Sequence, residues 1–464
     1  MKRDLAALAS GAFDLLVIGG GVVGACIARD AARRGIKTAL IEQNDFAAAA
    51  SEAMSHTIHG GIRYLATGQI GLVRTGLDER AKWARNAREF VTGQTWLLPL
   101  TGGRRGWQNR AGVALYQWMS GRKAQTLSRE NVLALEPALA MDGMTGAAVY
   151  EDFHLANPHR LVIGILQDAA AHGAVIANHV AAQSLVLRGG VAQAVTAVEQ
   201  FTGGKFTVRA TTIINATGPW AQKVADMFAP GQKSVRVKGS KGIHLIAPQL
   251  SQAHAIAISG KGEHVFAVPW HGRTLFGTTD EAFDGDLSNV VADEAEIEAF
   301  KAKIMRLMPA AEDSLARTIS SFAGVRALPG SGGNTYKAAR EELIVSHVDD
   351  GASGLLTVTG GKWTTARLIA ERAVDLVVAN FGKTFAPCQT NEAAISAPGA
   401  LFELSDILQR ASQDEMAMTA GDYLRRLGRY AFLLDQGLER RVKSWLALRG
   451  VDANNGVGRE GMIS

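Results

Sequence analysis

The sequence predicts an α/β fold in which a Rossmann-like nucleotide-binding domain is interrupted by an α+β domain with an antiparallel sheet, followed by a short C-terminal helical segment. Three observations lead to this expectation. A β–α–β pattern with a glycine-rich turn occupies residues 13–42. The strands that would complete its sheet come much later, at 174–216 and 357–380. A strand-rich stretch, 232–345, lies between those two regions.

Length and composition indicate a globular enzyme of two or more domains. The chain has 464 residues, of which 47% are hydrophobic and 20% are charged, so a disordered chain is excluded. The 51 glycines and 11 prolines suit an α/β protein with many tight turns. Cys26 and Cys388 belong to no cysteine cluster, which excludes a disulfide framework and favours a reducing, cytoplasmic setting.

The charge and hydropathy of the chain limit the kinds of partner that it can bind. The net charge is +5 without a block of like charges, so we predict no nucleic-acid partner. The apolar run Phe13–Ile18 is too short to span a bilayer, and any membrane contact would be peripheral. No His, Asp or Glu group has the spacing of metal ligands, so we predict no metal site.

The first unit begins with a predicted strand at Phe13–Ile18. A helix of small residues follows at Gly24–Gly35, and a second strand at Lys37–Ile41. A glycine-rich turn between the first strand and the helix is the context that a dinucleotide-binding motif requires.

The turn itself reads GGGVVG (19–24), so Gly19, Gly21 and Gly24 satisfy G-x-G-x-x-G. These glycines allow the tight turn, close approach of a pyrophosphate, and close packing of helix on strand. Glu42 ends the second strand at about the expected spacing of 20 residues, where it would accept from ribose hydroxyls. An unphosphorylated ribose, and hence FAD or NAD, is favoured over NADP.

The next elements alternate between helices and strands. Residues 43–66 are predicted as a loop with a short helix, and 68–92 and 157–172 as helices. Short strands are predicted at Ala174–Ile176, Ser184–Leu187, Ala192–Val198 and Thr211–Ala216.

The second half is first strand-rich and then helical. Strands are predicted at Val235–Val237, Ile243–Ile246, Val265–Val268 and Thr274–Phe276, with a helix at 293–308. Strand Thr357–Val358 leads through Gly360–Gly361 into a helix that ends at Ala379. Two further helices are predicted at Asp422–Leu434 and Leu438–Leu448.

The polar segment between Ser51 and Gly61 bears on the choice between FAD and NAD. It would wrap a long, extended cofactor such as FAD, but an ordinary surface loop has the same composition. The residue pattern alone leaves these two interpretations equal.

Six motifs, in a fixed order along the chain, resemble those of a known family and favour FAD over NAD. They are IHGGIRYLATGQIGLV (58–73), INATGPWA (214–221), VKGSKGIHLIAP (237–248), VPWHGRTLFGTTDEAFDGD (268–286), FAGVRAL (322–328) and VTGGKWTTARLIAE (358–371). Over residues 13–385 the chain resembles the FAD-dependent glycerol-3-phosphate dehydrogenases and related oxidases, within the glycine oxidase and D-amino-acid oxidase superfamily.

The resemblance implies a flavoprotein oxidoreductase of glycerol metabolism with non-covalent FAD. It would oxidise sn-glycerol 3-phosphate to dihydroxyacetone phosphate by hydride transfer to flavin N5 and pass the electrons to a quinone. Two alternatives stay open: an oxygen-using oxidase, and a dehydrogenase of another polyol phosphate such as erythritol 4-phosphate. The quinone-linked dehydrogenase would be peripheral on the inner face of the cell membrane, whereas the oxidase would be cytosolic. A homodimer is a further expectation.

The resemblance also assigns cofactor contacts. The implied FAD-binding residues are Gly19, Gly21, Val22, Val23, Gly24, Glu42, Gln43, Ser51, Ser55, His56, Thr57, His59, Gly60, Val180, Ala216, Thr217, Gly218, Trp220, Gly361, Lys362, Trp363 and Thr364. The helix after Gly360–Gly361 would present its N-terminus to the negative charge of reduced flavin.

A phosphate ester requires cationic donors. The substrate contacts implied by the resemblance are Arg63, Tyr64, Arg326, Arg340 and Lys362. Arg326 lies in an apolar neighbourhood, where the alternative is a structural salt bridge to Asp280 or Glu281. Arg340 precedes two glutamates, so a surface ion pair is its alternative.

Three residues are candidates for catalysis: His244, His59 and Arg326. Histidine is the usual general base near neutral pH, and both histidines match family positions close to the flavin. The alternative for His244 is a satisfied core histidine. Arg326 would stabilise a developing alkoxide.

Three departures from the family pattern leave room for a different substrate or for a nucleotide-binding protein without redox turnover. His56 stands where the family usually has Lys, and Lys241–Gly242 is inserted between Ser240 and His244. The region after about 385 is shorter than the family's helical cap.

The predicted domains follow from these elements. The boundaries are 1–90, 151–230 and 346–385 for the FAD-binding domain, 91–150 and 231–345 for the substrate domain, and 386–464 for a truncated helical segment.

Overall fold

The computed structural model describes residues 1–260, 263–330, 342–382, 384–396, 403–428 and 437–448. Within these ranges the α-helices are α1 Leu5–Ser10, α2 Val22–Arg33, α3 Ile70–Asn86, α4 Gly103–Met119, α5 Arg129–Leu135, α6 Pro158–Ala171, α7 Ala221–Phe228, α8 Glu294–Leu307, α9 Glu312–Ala316, α10 Ala366–Ala379, α11 Leu404–Asp414, α12 Ala420–Leu427 and α13 Leu438–Ala447.

The strands of the same ranges are β1 Ala12–Ile18, β2 Thr38–Ile41, β3 Thr57–Ile58, β4 Val91–Thr101, β5 Gln125–Ser128, β6 Met144–Leu155, β7 Val175–Ala177, β8 Val180–Arg188, β9 Val191–Glu199, β10 Lys205–Asn215, β11 Val237–Pro248, β12 Ala255–Gly260, β13 Glu263–Trp270, β14 Arg273–Gly277, β15 Glu281–Phe283, β16 Ser320–Pro329, β17 Glu342–Ser346 and β18 Leu355–Gly360. Short 3₁₀ helices lie at Ile62–Thr67, Pro137–Leu139, Gly218–Trp220 and Pro309–Ala311.

The first sheet joins three separated parts of the chain. Its strand order is β17-β18-β10-β1-β2-β7, and β8 and β9 extend from β10 as antiparallel neighbours. Strands β18, β10, β1, β2 and β7 are parallel. Leu15, Leu16 and Val17 are consecutive and fully buried, because both faces of a parallel sheet are covered. Helix α2 packs between α6 and α10 over this sheet.

The second sheet has the order β15-β11-β14-β13-β12-β4-β6-β3, with β16 paired to β11 and β5 paired to β6. All its pairings are antiparallel except that of β12 with β4. The expectation of an α/β protein with a separate antiparallel sheet is therefore confirmed. The domain boundaries stay a prediction.

Several predicted elements differ from the observed ones. The helix expected over 68–92 ends at Asn86, because Val91 begins a strand that pairs with β6 along its whole length. The strands expected at Val235–Val237 and Ile243–Ile246 are replaced by the single strand β11, which begins only at Val237 and includes the inserted Lys241–Gly242 pair. Helix α12 ends at Leu427, and the rest of the predicted Asp422–Leu434 helix lies outside the described residues.

Candidate active site

A cavity of about 1880 Å³ lies where the carboxyl ends of the parallel strands meet the second sheet. Gly19, Glu42 and Ala216 line it from just beyond β1, β2 and β10. His244 on β11 and Arg326 on β16 line it from the second sheet. The carboxyl ends of parallel strands are the usual ligand site of such sheets, so this cavity is the candidate active site.

The glycine-rich turn forms one end of the cavity. Helix α2 starts at Val22, whose N–H donates to the Ser51 hydroxyl at 2.9 Å. A Cβ atom on Gly24 would collide with the carbonyl oxygen of Gly19, so only glycine permits this close packing of helix on strand. The turn thus presents the start of a helix to the cavity, as binding of a pyrophosphate requires.

Glu42 lies beside this turn with both carboxylate oxygens bonded to the backbone. Oε2 accepts from the Gly20 N–H at 2.6 Å, and Oε1 accepts from the Asn44 N–H at 2.8 Å. Burial raises the pKa of Glu42 above its ordinary value. These two bonds fix the carboxylate in one orientation and leave acceptor capacity for the hydroxyls of a ribose.

The polar segment after β2 is joined to the start of α10. The Trp363 indole N–H donates to the Ser51 carbonyl at 3.0 Å, and the His59 N–H donates to the Thr364 hydroxyl at 3.2 Å. Gly361 has a φ of +77°, and a Cβ atom there would collide with Ile369 of α10. The loop and the helix start therefore form one continuous wall of the cavity.

Two cations lie close to a tyrosine in the cavity wall. The Lys362 ammonium lies 3.8 Å from the centre of the Tyr64 ring, and the Arg63 guanidinium lies 5.2 Å from it. Arg63 also approaches the Tyr64 hydroxyl at 3.4 Å. All three line the cavity, so positive charge gathers where an anionic substrate group can bind.

Arg326 is oriented by oxygen atoms of the second sheet. Its Nη2 donates to the Thr278 hydroxyl at 2.9 Å, and its Nη1 approaches the Ser240 hydroxyl at 3.3 Å. Ser240 in turn donates to Asp280 at 2.5 Å, so that carboxylate is linked to Arg326 through Ser240. Gly242 leaves the space that the guanidinium occupies, because a Cβ atom there would collide with it.

His244 is placed by a stacked ring and a hydroxyl. Its ring lies parallel to that of Phe322 with centroids 4.6 Å apart, and its Nε2 is 2.8 Å from the Ser55 hydroxyl. The inserted Lys241–Gly242 pair continues the strand and does not remove His244 from the cavity wall.

Most of the predicted site residues share this cavity. Those that line it are Gly19, Gly21, Val22, Val23, Glu42, Gln43, Ser51, Ser55, Thr57, His59, Arg63, Tyr64, Val180, Ala216, Thr217, Gly218, Trp220, His244, Arg326, Gly361, Lys362, Trp363 and Thr364. Gly24, His56 and Gly60 do not line it, and Arg340 lies outside the described residues.

His56 is buried behind the cavity wall with a φ of +53°. Its Nδ1 is 3.0 Å from the Leu155 carbonyl, and its ring lies 6.1 Å from that of His154 and 5.8 Å from that of Trp270. Burial, with a smaller contribution from His154, lowers the pKa of His56 to about 3. The side chain is therefore neutral at physiological pH and contacts β6 and Trp270 instead of the cavity.

The sequence analysis missed several residues of the cavity wall. His264, Lys303 and Arg105 line it, and burial followed by the charges of Arg63, Lys303 and Arg105 lowers the pKa of His264 to about 4. Thr278, which binds Arg326, fell inside a quoted motif but was not singled out. Arg105 lies on α4 and Lys303 on α8. In the sequence these two residues look like the other charged residues of solvent-exposed helix faces, so they could not be recognised as cavity residues.

A C-terminal helix reaches the loop after β2. Arg426 on α12 donates to both oxygens of Asp45 at 2.7 and 2.9 Å, and both side chains are fully buried. Burial alone would raise the pKa of Asp45, but Arg426 and His159 hold it well below its ordinary value. Asp45, His179 and Asp422 bring ligand-type atoms within 4.8 Å of one another, but Asp45 is already paired with Arg426, and Asp422 lies 2.8 Å from His179. We therefore interpret it as a structural ion-pair network.

The fold and the motifs have known counterparts. Residues 14–376 match the protein family described as FAD dependent oxidoreductase, DAO. The glycerol-3-phosphate dehydrogenase of Synechocystis sp. is 34% identical over 410 residues, which are 84% of this chain and 74% of that protein. The aerobic glycerol-3-phosphate dehydrogenase of Staphylococcus aureus strain MRSA252 is 32% identical over 403 residues, which are 83% of this chain and 71% of that protein.

Solved structures give the same result. The glycerol-3-phosphate dehydrogenase from Bacillus halodurans complexed with FAD superposes with a TM-score of 0.70 at 26% identity, covering 97% of this chain and 84% of that one. Glycine oxidase from Bacillus cereus superposes with a TM-score of 0.60 at 19% identity, covering 79% of this chain and 97% of that one. At this identity the comparison shows only that the two folds are similar.

Proposed function

The chain belongs to the FAD-dependent oxidoreductase family, and from this membership we propose that it oxidises sn-glycerol 3-phosphate to dihydroxyacetone phosphate. One observation carries the proposal beyond the family. One cavity is lined both by the glycine-rich turn with Glu42 and by the cations Arg63, Lys362 and Arg326. A dinucleotide cofactor and a small phosphate ester would thus meet inside one space. The relatives named as glycerol-3-phosphate dehydrogenases agree with this substrate.

The residues present fit FAD. The start of α2 and the oriented carboxylate of Glu42 are suited to the pyrophosphate and ribose of the adenosine half. The wall formed by Gly361 and Trp363 at the start of α10 is suited to the isoalloxazine ring. FAD, when bound, supplies the acceptor for the hydride that leaves C2 of the substrate.

The phosphate is held by Arg63 and Lys362 on either side of Tyr64. A phosphate monoester carries nearly two negative charges at neutral pH, and two cations balance them. The planar guanidinium of Arg63 binds two phosphate oxygens at once, whereas the ammonium of Lys362 acts as a point charge. Arg340, outside the described residues, stays a predicted third contact.

His244 accepts the hydroxyl proton of the substrate. Its stacked position on Phe322 keeps the ring fixed, and the Ser55 hydroxyl lies within hydrogen-bond distance of Nε2. Arg326 stabilises the negative charge that develops on the substrate oxygen as the proton leaves. His59 contributes its backbone N–H to the wall near the flavin and remains a secondary catalytic candidate.

We propose a quinone as the electron acceptor, with the protein bound peripherally to the inner face of the membrane. None of the helices in the described part of the chain has the length and apolar character needed to cross a bilayer. A homodimer stays a prediction.

Anaerobic mixing with glycerol 3-phosphate tests the substrate. Fast bleaching of the flavin absorbance by glycerol 3-phosphate, and none by glycerol, is the expected result. If erythritol 4-phosphate bleaches the flavin and glycerol 3-phosphate does not, the substrate is a longer polyol phosphate. Reoxidation of the reduced protein by a quinone analogue much faster than by oxygen is expected, and the reverse order would identify an oxidase.

A further inference from the structure

Asp152 is a buried carboxylate in the cavity wall that the proposed mechanism does not use. It lies on β6, is 3% exposed, and accepts three hydrogen bonds at its Oδ1 atom. Arg80 donates to this oxygen at 2.6 Å, the Tyr116 hydroxyl at 2.7 Å and the Gly60 N–H at 3.3 Å. Burial of an ion pair costs free energy, so a carboxylate held in this way requires a physical explanation.

The link at Asp152 joins three elements that are far apart in the sequence. Arg80 comes from α3 and Tyr116 from α4, and both side chains are buried. Arg80 also donates to the Glu151 carbonyl at 2.5 Å, and its guanidinium lies 5.7 Å from the centre of the Tyr116 ring. Hydrogen bonds to a charged group that is shielded from water are among the stronger ones, so this link holds α3, α4 and β6 together.

The backbone of Gly60 is held by this link. Its N–H donates to the Tyr116 hydroxyl at 2.9 Å, in addition to its bond to Asp152. A Cβ atom on Gly60 would collide with Leu77, and one on Gly76 would collide with the Gly60 carbonyl oxygen. Helix α3 therefore packs directly against the Gly60 backbone.

Gly61 connects this backbone to the side chains proposed to bind phosphate. It has a φ of +84° and precedes the 3₁₀ helix Ile62–Thr67, which carries Arg63 and Tyr64. A Cβ atom on Gly61 would collide with the Tyr64 ring and would lie 3.3 Å from the Lys362 ammonium. A shift of the backbone at this point would therefore move the arginine and the tyrosine relative to the lysine.

Helix α3 also contacts the segment that carries Lys362. The Trp83 indole N–H donates to the Thr364 carbonyl at 2.8 Å, and Glu79 accepts from Arg367 of α10 at 2.6 and 2.7 Å. One helix thus contacts both segments that carry the cations proposed to bind the substrate phosphate.

We propose that Asp152 is a positioning residue for binding of the substrate phosphate. With Arg80 and Tyr116 it fixes the backbone of Gly60, and it acts on the phosphate only through the residues that follow that glycine. The arginine and the lysine of the site then keep a constant spacing, which a planar guanidinium needs in order to form two parallel hydrogen bonds. The inference rests on the proposed function, because it concerns the substrate of the same site.

Anaerobic stopped-flow reduction of the holoenzyme tests this role. Tyr116→Phe keeps the ring and removes the hydroxyl that binds Gly60, and Asp152→Ala removes the acceptor of all three donors. We expect both variants to raise the dissociation constant of glycerol 3-phosphate about tenfold. The limiting rate of flavin reduction should stay within about threefold of the wild type, because His244 and Arg326 are held by other residues. Asp152→Asn keeps an acceptor oxygen and should recover part of the affinity.

Tyr423→Phe is the matched control, because it removes the hydroxyl of another buried tyrosine, in the C-terminal helices. It should leave both the dissociation constant and the limiting rate unchanged. If Asp152→Ala does not fold, Tyr116→Phe decides the question. A wild-type dissociation constant in Tyr116→Phe would overturn the proposal even if that variant melts at a lower temperature, and so would a loss confined to the limiting rate.

A failure of the proposed function is detected separately. If glycerol 3-phosphate does not reduce the wild-type flavin, the oxidised holoenzymes would be titrated with inorganic phosphate, and binding would be followed by the difference absorbance of the flavin. The wild type should then bind phosphate about tenfold more tightly than Tyr116→Phe. Equal affinities, or no binding by the wild type, would overturn the positioning role.

Discussion

At the scale of single residues, the site was predictable where the backbone dictates the residue type. Gly24 and Glu42 could be recognised from spacing alone, because a close helix–strand contact and a ribose acceptor have fixed positions in a β–α–β unit. His56 could not be placed this way. Its burial depends on His154 and Trp270, which come from distant strands, so the sequence gives no sign that it faces away from the cavity.

Arg326→Ala should reduce the rate of flavin reduction by substrate at least about a hundredfold, because the fixed cation at the developing alkoxide is lost. The FAD content should stay unchanged, since the assigned cofactor contacts lie elsewhere. Stopped-flow reduction and the flavin-to-protein absorbance ratio would measure these two quantities. Arg317→Ala, on the surface of the same domain, is the matched control. Unchanged kinetics in Arg326→Ala would remove this residue from the site.

At the scale of elements, the buried parallel strands were the easiest to predict. Strand β1 is a continuous apolar run flanked by turn residues, and this pattern does not depend on distant contacts. Strands β4 and β6 and helix α4 were missed. The β4–β6 ladder spans more than forty residues of intervening chain, and its pairing overrides the helical pattern that precedes it. Residues 403–428 also show that the shortened C-terminal region still forms helices, which pack together and contact the loop after β2.

Arg426→Gln on α12 should weaken FAD binding about tenfold, because the loop that holds Glu42 and Ser51 loses the buried ion pair at Asp45. The dissociation constant can be measured from the recovery of flavin fluorescence on dilution. Arg426→Lys keeps the charge and should restore part of the affinity. Arg425→Gln, on the same helix but half-exposed and 3.4 Å from Glu52, should bind FAD within about twofold of the wild type. Equal FAD affinity in both glutamine variants would contradict the role of Arg426.

At the scale of the whole molecule, buried histidines couple stability to pH. The pKa of His56 is lowered to about 3 and that of His154 to about 4, chiefly by burial. Histidines in the unfolded chain take up protons near pH 6.5, so the unfolded state binds more protons below that pH. Their contribution to stability is complete above about pH 6.5 and is lost as the pH falls toward 4.

His56→Asn should make the free energy of unfolding less dependent on pH between about 6.5 and 4. Each histidine that stays neutral in the fold contributes a slope of up to about 1.4 kcal/mol per pH unit in the free energy of unfolding between pH 6.5 and 4. Urea denaturation of the FAD-saturated protein at several pH values would measure the slope. His172→Asn, at an exposed histidine, is the control and should keep the wild-type slope. A parallel loss of slope in both variants would argue against a specific effect of His56.

The strands of the first sheet come from separated parts of the chain, and this determines the order in which a newly made chain can fold. Strand β1 leaves the ribosome well before its partner β10, which begins at Lys205, and before β18, which ends at Gly360. At about 5–20 residues per second, β1 and β2 wait roughly half a minute for the sheet to be completed. During that time an apolar strand with two open edges is exposed to other chains. We therefore expect β1 and β2 to stay exposed until β10 and β18 have been made, and the flavin to bind only after that point.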